Sequence, residues 1–120
     1  VEKDRFFTVS NGMHFEVQRW RYPAKIFESL PEDEILDREI SVVAELVGGS
    51  VIDKRAVAVD SLHGREGRIK NVSGGKNLIL VRVFVAKSTI YKLIVISPVA
   101  NAEHASAAIF LNSFRLNKRE

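Results

Sequence analysis

The sequence predicts an α+β domain, in which an antiparallel β-sheet is flanked by two helices. Three observations favour it: six short runs with strand character, short turn sequences between them, and two stretches with an amphipathic helical pattern. Their order along the chain is β-β-α-β-β-β-β-α. Strands joined by short turns pair antiparallel, and amphipathic helices need a surface on which to bury their apolar faces, so we expect both helices to pack on this sheet.

The first two predicted strands, residues 5–10 and 13–22, are expected to form a hairpin. An Asn-Gly pair lies between them, and this pair favours a type I′ turn because both central residues of that turn need a positive φ. In the second strand Met13, Phe15 and Val17 alternate with polar residues, which indicates one buried face.

The next element is a predicted helix over residues 31–47. Acidic residues fill its first turn, where they complement the helix dipole. Gly48 and Gly49 follow as a stop signal. The apolar stripe repeats at the spacing of one helix face and comprises Leu36, Ile40, Val43 and Val47.

The second half of the chain contains the other strands and the closing helix. Strands are predicted over residues 51–60, 65–73, 77–86 and 89–97, because these runs are rich in β-branched residues and are separated by short turns. A helix is predicted over residues 101–114, with Asn101 as its N-cap. Its apolar stripe comprises Ala107, Phe110, Leu111 and Phe114.

Composition restricts the kinds of site that the chain can hold. It has 120 residues, which suits one domain, and a net charge of +3. No cysteine is present, which excludes a disulfide framework, a thiolate metal site and a cysteine nucleophile. The histidines His14, His63 and His104 lie far apart in the sequence, so neither a metal nor a cofactor is predicted. No apolar run approaches the roughly 20 residues of a membrane-spanning helix, and no membrane span is expected.

Four short segments of the second half follow one another in a recognisable order. They are Gly64-Arg65-Glu66 in one strand, Arg82 in the next, Tyr91 with Leu93 in a third, and Phe110-Leu111-Asn112-Ser113-Phe114 in the closing helix. In this order they resemble the PsbP-like domains, a family that includes an oxygen-evolving subunit of photosystem II and many bacterial exported or lipid-anchored relatives. The resemblance covers residues 13–116.

This resemblance implies an antiparallel sheet with helices on both sides. It also implies a non-catalytic binding or assembly module that acts outside the cytoplasm, with a protein as the expected partner and no cofactor. Such domains usually begin with a further hairpin, and little sequence precedes Arg5, so residues 1–120 are expected to form one domain that lacks this hairpin. A sheet edge left exposed in this way could pair with a second copy of the chain in a homodimer.

Basic and aromatic residues interleave in the predicted second strand. Arg19 and Arg21 share one of its faces. Trp20 and Tyr22 share the other. These residue types are enriched where proteins bind partners, so all four are candidate partner-binding residues. The alternative is that the two aromatic residues pack beneath a helix. Three further arginines would extend a basic face if their strands lay beside this one: Arg65, Arg68 and Arg82.

A second interpretation assigns the chain to the nucleic-acid-associated β-domains. The stretch GREGRIKNV, which begins at Gly64, resembles the KOW motif of ribosomal and transcription-elongation proteins. A loop at residues 65–70 would then bind nucleic acid through its basic side chains. The plainer interpretation is a turn in which Gly64 and Gly67 relieve backbone strain.

A third interpretation is a small hydrolase. Asp60, Ser61 and His63 form a local trio of the residue types that nucleophilic catalysis needs. No G-x-S-x-G turn accompanies them, and closeness in sequence does not create the geometry of a triad. We therefore predict that the chain is not an enzyme.

Overall fold

The computed structural model describes residues 1–10, 12–71, 77–98 and 105–115, and its six strands join in one antiparallel sheet. Their order across the sheet is β1-β2-β6-β5-β4-β3. The predicted α+β fold, a sheet with helices on both faces, is confirmed. The elements are β1 (Glu2–Ser10), β2 (Met13–Arg21), α1 (Glu32–Leu46), β3 (Gly49–Val59), β4 (Leu62–Asn71), β5 (Asn77–Ala86), β6 (Thr89–Pro98) and α2 (Ala105–Asn112), with a short 3₁₀ helix at Ala24–Phe27.

The connection between β2 and β3 decides the strand order. The β1–β2 hairpin turns at Gly12, which has a φ of 75°, and aligns Ser10 with Met13. The chain then leaves β2, crosses one face of the sheet as α1, and starts β3 at the far edge. The following meander returns strand by strand until β6 pairs with β2, for example Arg19 with Tyr91.

Each face of the sheet carries its own hydrophobic core because side chains alternate along every strand. The core under α1 consists of Ile35, Leu36, Ile40, Val43 and Ala44 of the helix and Ile69, Ile79, Val81, Val83, Ile90 and Ile94 of the sheet. The core under α2 consists of Ala107 and Leu111 of the helix and Met13, Phe15, Phe84, Tyr91, Leu93 and Val95 of the sheet. The domain therefore has three layers, in the order helix, sheet, helix.

The two glycines assigned above to a turn lie instead inside β4. A Cβ atom on Gly64 would approach the Phe84 ring to 2.5 Å, and one on Gly67 would approach Ile40 to 2.5 Å. Close approach of a neighbour, rather than turn strain, is thus what requires glycine at both positions: the ring opposite on β5 for Gly64, and the helix α1 above the sheet for Gly67. The turn itself lies at Asp60, which has a φ of 54°.

The same observation corrects the loop predicted at residues 65–70. These residues form the interior of β4, which pairs with β3 on one side and β5 on the other. No loop is therefore presented there to nucleic acid. Three strands also begin earlier than predicted: β1 begins at Glu2, β3 at Gly49 and β4 at Leu62. The predicted cap at Asn101 lies outside the described residues.

Candidate functional site

A groove lies on the α1 face of the sheet, beside the helix. α1 packs mainly on β3, β4 and β5 and reaches β6 through the Glu39–Lys92 pair, so this face of β1 and β2, with the adjoining part of β6, is left to form a floor. The groove has a volume of about 610 Å³. Its wall is the side of α1 that carries Val42 and Leu46, and its end is the segment around the 3₁₀ helix, including Ile26 and Phe27.

The lining is mainly apolar and includes stacked aromatic rings. Trp20 and Tyr22 stack with their ring centroids 6.3 Å apart, and Tyr22 meets Phe27 edge-on at 5.9 Å. Leu46, at the end of α1, is 81% exposed and has this groove beside it. Exposed apolar area in a concave site is typical of a surface that binds apolar groups.

Glu16 is a buried acid at one side of the floor, and both of its carboxylate oxygens are in hydrogen bonds with neighbouring side chains. The guanidinium of Arg5 donates to it from Nε at 2.7 Å and from Nη2 at 2.9 Å. His14 lies 2.8 Å from the same carboxylate, and Gln18 donates a further hydrogen bond. Burial raises the pKa of Glu16, but the hydrogen bonds from Arg5, Gln18 and His14 outweigh it and bring the pKa to about 2.

A second charge pair lies at the middle of the groove. Lys92 of β6 is 3.2 Å from the carboxylate of Glu39 on α1, and both side chains are buried. The ammonium of Lys92 also lies 5.3 Å from the centre of the Trp20 ring. Burial, followed by the charge of Glu39, raises the pKa of Tyr22. The pair ties α1 to the sheet where the helix meets the open floor.

The rim of the groove carries basic residues from two sides. Lys3 projects from β1, with its ammonium 4.5 Å from the centre of the Trp20 ring. Arg38 projects from α1 and is exposed. Within the part of the chain that the structure describes, neither side chain is in an ion pair. The rim is therefore electropositive.

The structure divides the predicted partner-binding residues between the two faces of the sheet. Trp20 and Tyr22 line the groove and pack, half-buried, against the core under α1. Arg19 and Arg21 point to the opposite face, where each pairs with an acid of β1: Asp4 at 2.6 Å and Glu2 at 3.2 Å.

The other three predicted arginines do not extend a shared basic face. Arg65 lies on the α1 side and binds Asp33 and Asp37 of the helix. Arg68 and Arg82 lie on the α2 side, and β6 and β5 separate the strand of Arg68 from β2. The condition for a continuous basic face, neighbouring strands, is thus not met.

Arg82 has a different role, in the attachment of α2. Its Nε donates to Glu66 at 2.6 Å, and its Nη1 donates to the carbonyl of Leu111 and to Oδ1 of Asn112 in α2. Arg55 donates to the same Glu66 at 2.7 Å. Burial raises the pKa of Glu66, but the hydrogen bonds from both arginines lower it below its ordinary value. A polar cavity of about 550 Å³ adjoins this network.

The trio considered for a hydrolase lies at the β3–β4 hairpin, with Asp60 and Ser61 in its turn and His63 at the start of β4. Asp60, Ser61 and His63 are exposed, and no hydrogen bond joins any two of them among the described residues. Within that part of the chain no His, Asp and Glu side chains group closely enough to hold a metal ion. His104 lies outside it. None of the helices described is long and apolar enough to cross a membrane.

Sequence reasoning found the aromatic part of the groove but missed its charged part. A signal was present for Lys92, which occupies a position between Ile90 and Ile94 on one strand face. A charge at such a position indicates either a buried pair or an open site. No local pattern could assign Arg38 to the rim, because the other side of the groove is formed by strands distant in the sequence.

The fold is similar to that of two solved structures. The Pseudomonas aeruginosa protein PA94, a protein of unknown function, gives a TM-score of 0.67 at 7% identity over 97% of this chain and 83% of that one. The PsbP of the cyanobacterium Synechocystis, CyanoP, gives a TM-score of 0.66 at 11% identity over 90% of this chain and 69% of that one. No family model and no curated protein sequence matches the chain. The chain therefore has a PsbP-like fold.

Proposed function

We propose that this protein is a non-catalytic binding module that takes up an apolar ligand in the groove beside α1. The observation that carries the proposal is the groove itself, which is lined by stacked aromatic and aliphatic side chains and keeps its buried acids paired within the protein. A volume of about 610 Å³ is in the range of small-molecule sites. A location outside the cytoplasm, implied by the family resemblance, belongs to the same proposal.

The state of the buried acids supports binding over catalysis. A general base works best with a pKa near the working pH and with a lone pair directed at the substrate. Glu16 has a pKa of about 2, and its oxygens already accept hydrogen bonds from Arg5, Gln18 and His14. Glu39 is paired with Lys92. Glu16 is therefore a poor general base, and the carboxylate of Glu39 is already in contact with the ammonium of Lys92.

Trp20 is the only tryptophan of the chain, so its fluorescence reports directly on the groove. We would titrate the protein with N-phenyl-1-naphthylamine, a neutral apolar fluorophore that accepts energy from tryptophan. We expect saturable binding with quenching of Trp20. The variant Val42→Glu places a charge in the apolar wall and should therefore weaken binding. The expected loss is about tenfold in affinity, which corresponds to about 1.4 kcal/mol of binding free energy.

The matched control is Ser41→Glu, which adds the same charge to the exposed neighbouring position of α1, outside the groove. It should bind the fluorophore as the unmodified chain does. The absence of saturable binding would overturn the proposal. Equal weakening by both variants would overturn it too, because the effect would then be unrelated to the groove.

A second candidate function, assembly with another copy of the chain, is favoured by the edge strand β1. Within the described residues β1 pairs only with β2, and its Phe6, Phe7 and Val9 are 67%, 60% and 64% exposed. The opposite edge, β3, carries a bulge next to Val51, a feature that prevents edge pairing. β1 has no bulge in its pairing with β2.

Sedimentation equilibrium tests this second candidate. A dimer formed through β1 should dissociate in the variant Phe6→Lys, because a charge is placed at the centre of the new strand pair. The control is Ile52→Lys, which replaces an exposed apolar residue on the β3 edge and should leave the dimer unchanged. A monomer at every concentration, or a dimer that only Ile52→Lys dissociates, would contradict assembly through β1.

A further inference from the structure

The charges around the groove specify its ligand more closely. We infer that the groove binds a free amphipathic anion, an apolar chain or ring system that carries a carboxylate. This inference rests on the proposed function, since it concerns the same site. It assigns the apolar part of the ligand to the aromatic and aliphatic lining, and the carboxylate to Lys3 and Arg38 at the rim.

The balance of charges in the lining leads to this assignment. Four basic and two acidic side chains line the groove: Lys3, Arg5, Arg38, Lys92, Glu16 and Glu39. The acids are neutralised inside the protein, Glu16 by Arg5 at 2.7 Å and Glu39 by Lys92 at 3.2 Å. Of these six residues, Lys3 and Arg38 are the two that belong to neither pair, and both lie at the rim.

The two remaining cations stand on different elements. Lys3 belongs to β1 and Arg38 to α1, and both are exposed, so they retain water that a ligand oxygen can replace at small cost. The position of Lys3 over the Trp20 ring places this charge beside apolar surface. A ligand with an acidic group at one end and an apolar body at the other matches that juxtaposition.

A cationic amphiphile does not match the same surface. Its head group would meet Lys3 and Arg38 at the rim. To find an acid it would have to displace Arg5 from Glu16 or Lys92 from Glu39, and each displacement would leave a buried charge without its partner. A neutral amphiphile would gain the apolar contacts alone.

Competition against N-phenyl-1-naphthylamine separates these cases. The competitors are decanoate, decan-1-ol and decyltrimethylammonium, which share a ten-carbon chain and differ in head group, each used as free monomer. We expect decanoate to bind about tenfold more tightly than decan-1-ol, because a carboxylate can accept charge-assisted hydrogen bonds from the rim cations and the alcohol carries no charge. Decyltrimethylammonium should bind more weakly than decan-1-ol.

Variants at the rim identify the groups responsible. Lys3→Gln and Arg38→Gln should each reduce decanoate binding several-fold and leave decan-1-ol unaffected. The control, Lys25→Gln, removes an exposed cation that does not line the groove, and it should leave decanoate binding unchanged. Circular dichroism melting curves establish that all three variants fold.

The outcomes distinguish this inference from the proposed function. Equal binding of the three decyl compounds, or equal effects of Lys25→Gln and the rim variants, would overturn the anion assignment and leave the apolar groove intact as a site. Tighter binding of the cation would overturn it as well. If neither the fluorophore nor any decyl compound binds, the proposed function and the inference are both wrong.

Discussion

Glu39 and Lys92 are charged residues enclosed between α1 and the sheet, 3.2 Å apart. A buried pair of this kind contributes little net stability, because desolvation offsets the attraction between the charges. Removal of one partner is costly, since the other charge stays buried alone. We expect Lys92→Met, which keeps most of the side-chain volume, to lower the free energy of unfolding by about 3 kcal/mol in urea titrations followed by circular dichroism.

The double variant Lys92→Met with Glu39→Leu is the control for this prediction. It leaves no charge without a partner, so it should recover most of the stability lost in the single variant. If the double variant is as unstable as Lys92→Met alone, the loss comes from packing and the account of the pair is wrong.

α2 is the element that depends most on contacts outside itself. It has eight residues, too few for a helix to be stable alone in water. Ala107 and Leu111 bury its apolar side, and Arg82 binds the carbonyl of Leu111 and the side chain of Asn112 near its end. We expect Arg82→Met to raise the hydrogen-exchange rates of the α2 amides, while those of β5 and β6 change less.

Arg55→Met is the matched control for α2. Arg55 binds the same Glu66 but makes no hydrogen bond to α2 among the described residues. Its loss should leave exchange in α2 near that of the unmodified chain. Equal increases in α2 for both variants would show that Glu66, rather than the bonds from Arg82 to the helix, holds α2 in place.

The dependence of stability on pH belongs to the whole molecule, because acids on both faces of the sheet have lowered pKa values. Glu16 has a pKa of about 2 in the folded protein against an ordinary value of 4.5, and the pKa of Glu66 is lowered as well. As the pH falls, the unfolded chain therefore binds protons to these acids at a higher pH than the folded protein does. The contribution of Glu16 is complete above pH 4.5 and is lost as the pH falls towards 2.

Melting temperatures measured from pH 7 to pH 2 test this prediction. We expect a steep fall below pH 4.5, the ordinary pKa of a glutamate. Glu16→Gln should have a lower melting temperature at pH 7 and a shallower acid limb, since one proton-linked contribution is gone. An acid limb that stays as steep in the variant would show that other groups control acid unfolding.

Much of the fold followed from local pattern, and much of the site did not. The period of two in β2 correctly placed Trp20 and Tyr22 on one face and Arg19 and Arg21 on the other, because side-chain alternation is a property of a single strand. The partner-binding role of these residues stays a prediction. The place of Arg38 at the rim could not be predicted, because it depends on which strands α1 leaves uncovered.

By itself the sequence determined the six strands, both helices, the Asn-Gly hairpin and the presence of two buried faces, since each of these depends on residues that are neighbours along the chain. The tertiary structure alone decided that β6 lies beside β2, that Gly64 and Gly67 make room for Phe84 and Ile40, and that a groove opens beside α1. The physical reason is that strand pairing and packing between layers join residues far apart in the chain, and no local period records which strand or layer will meet which.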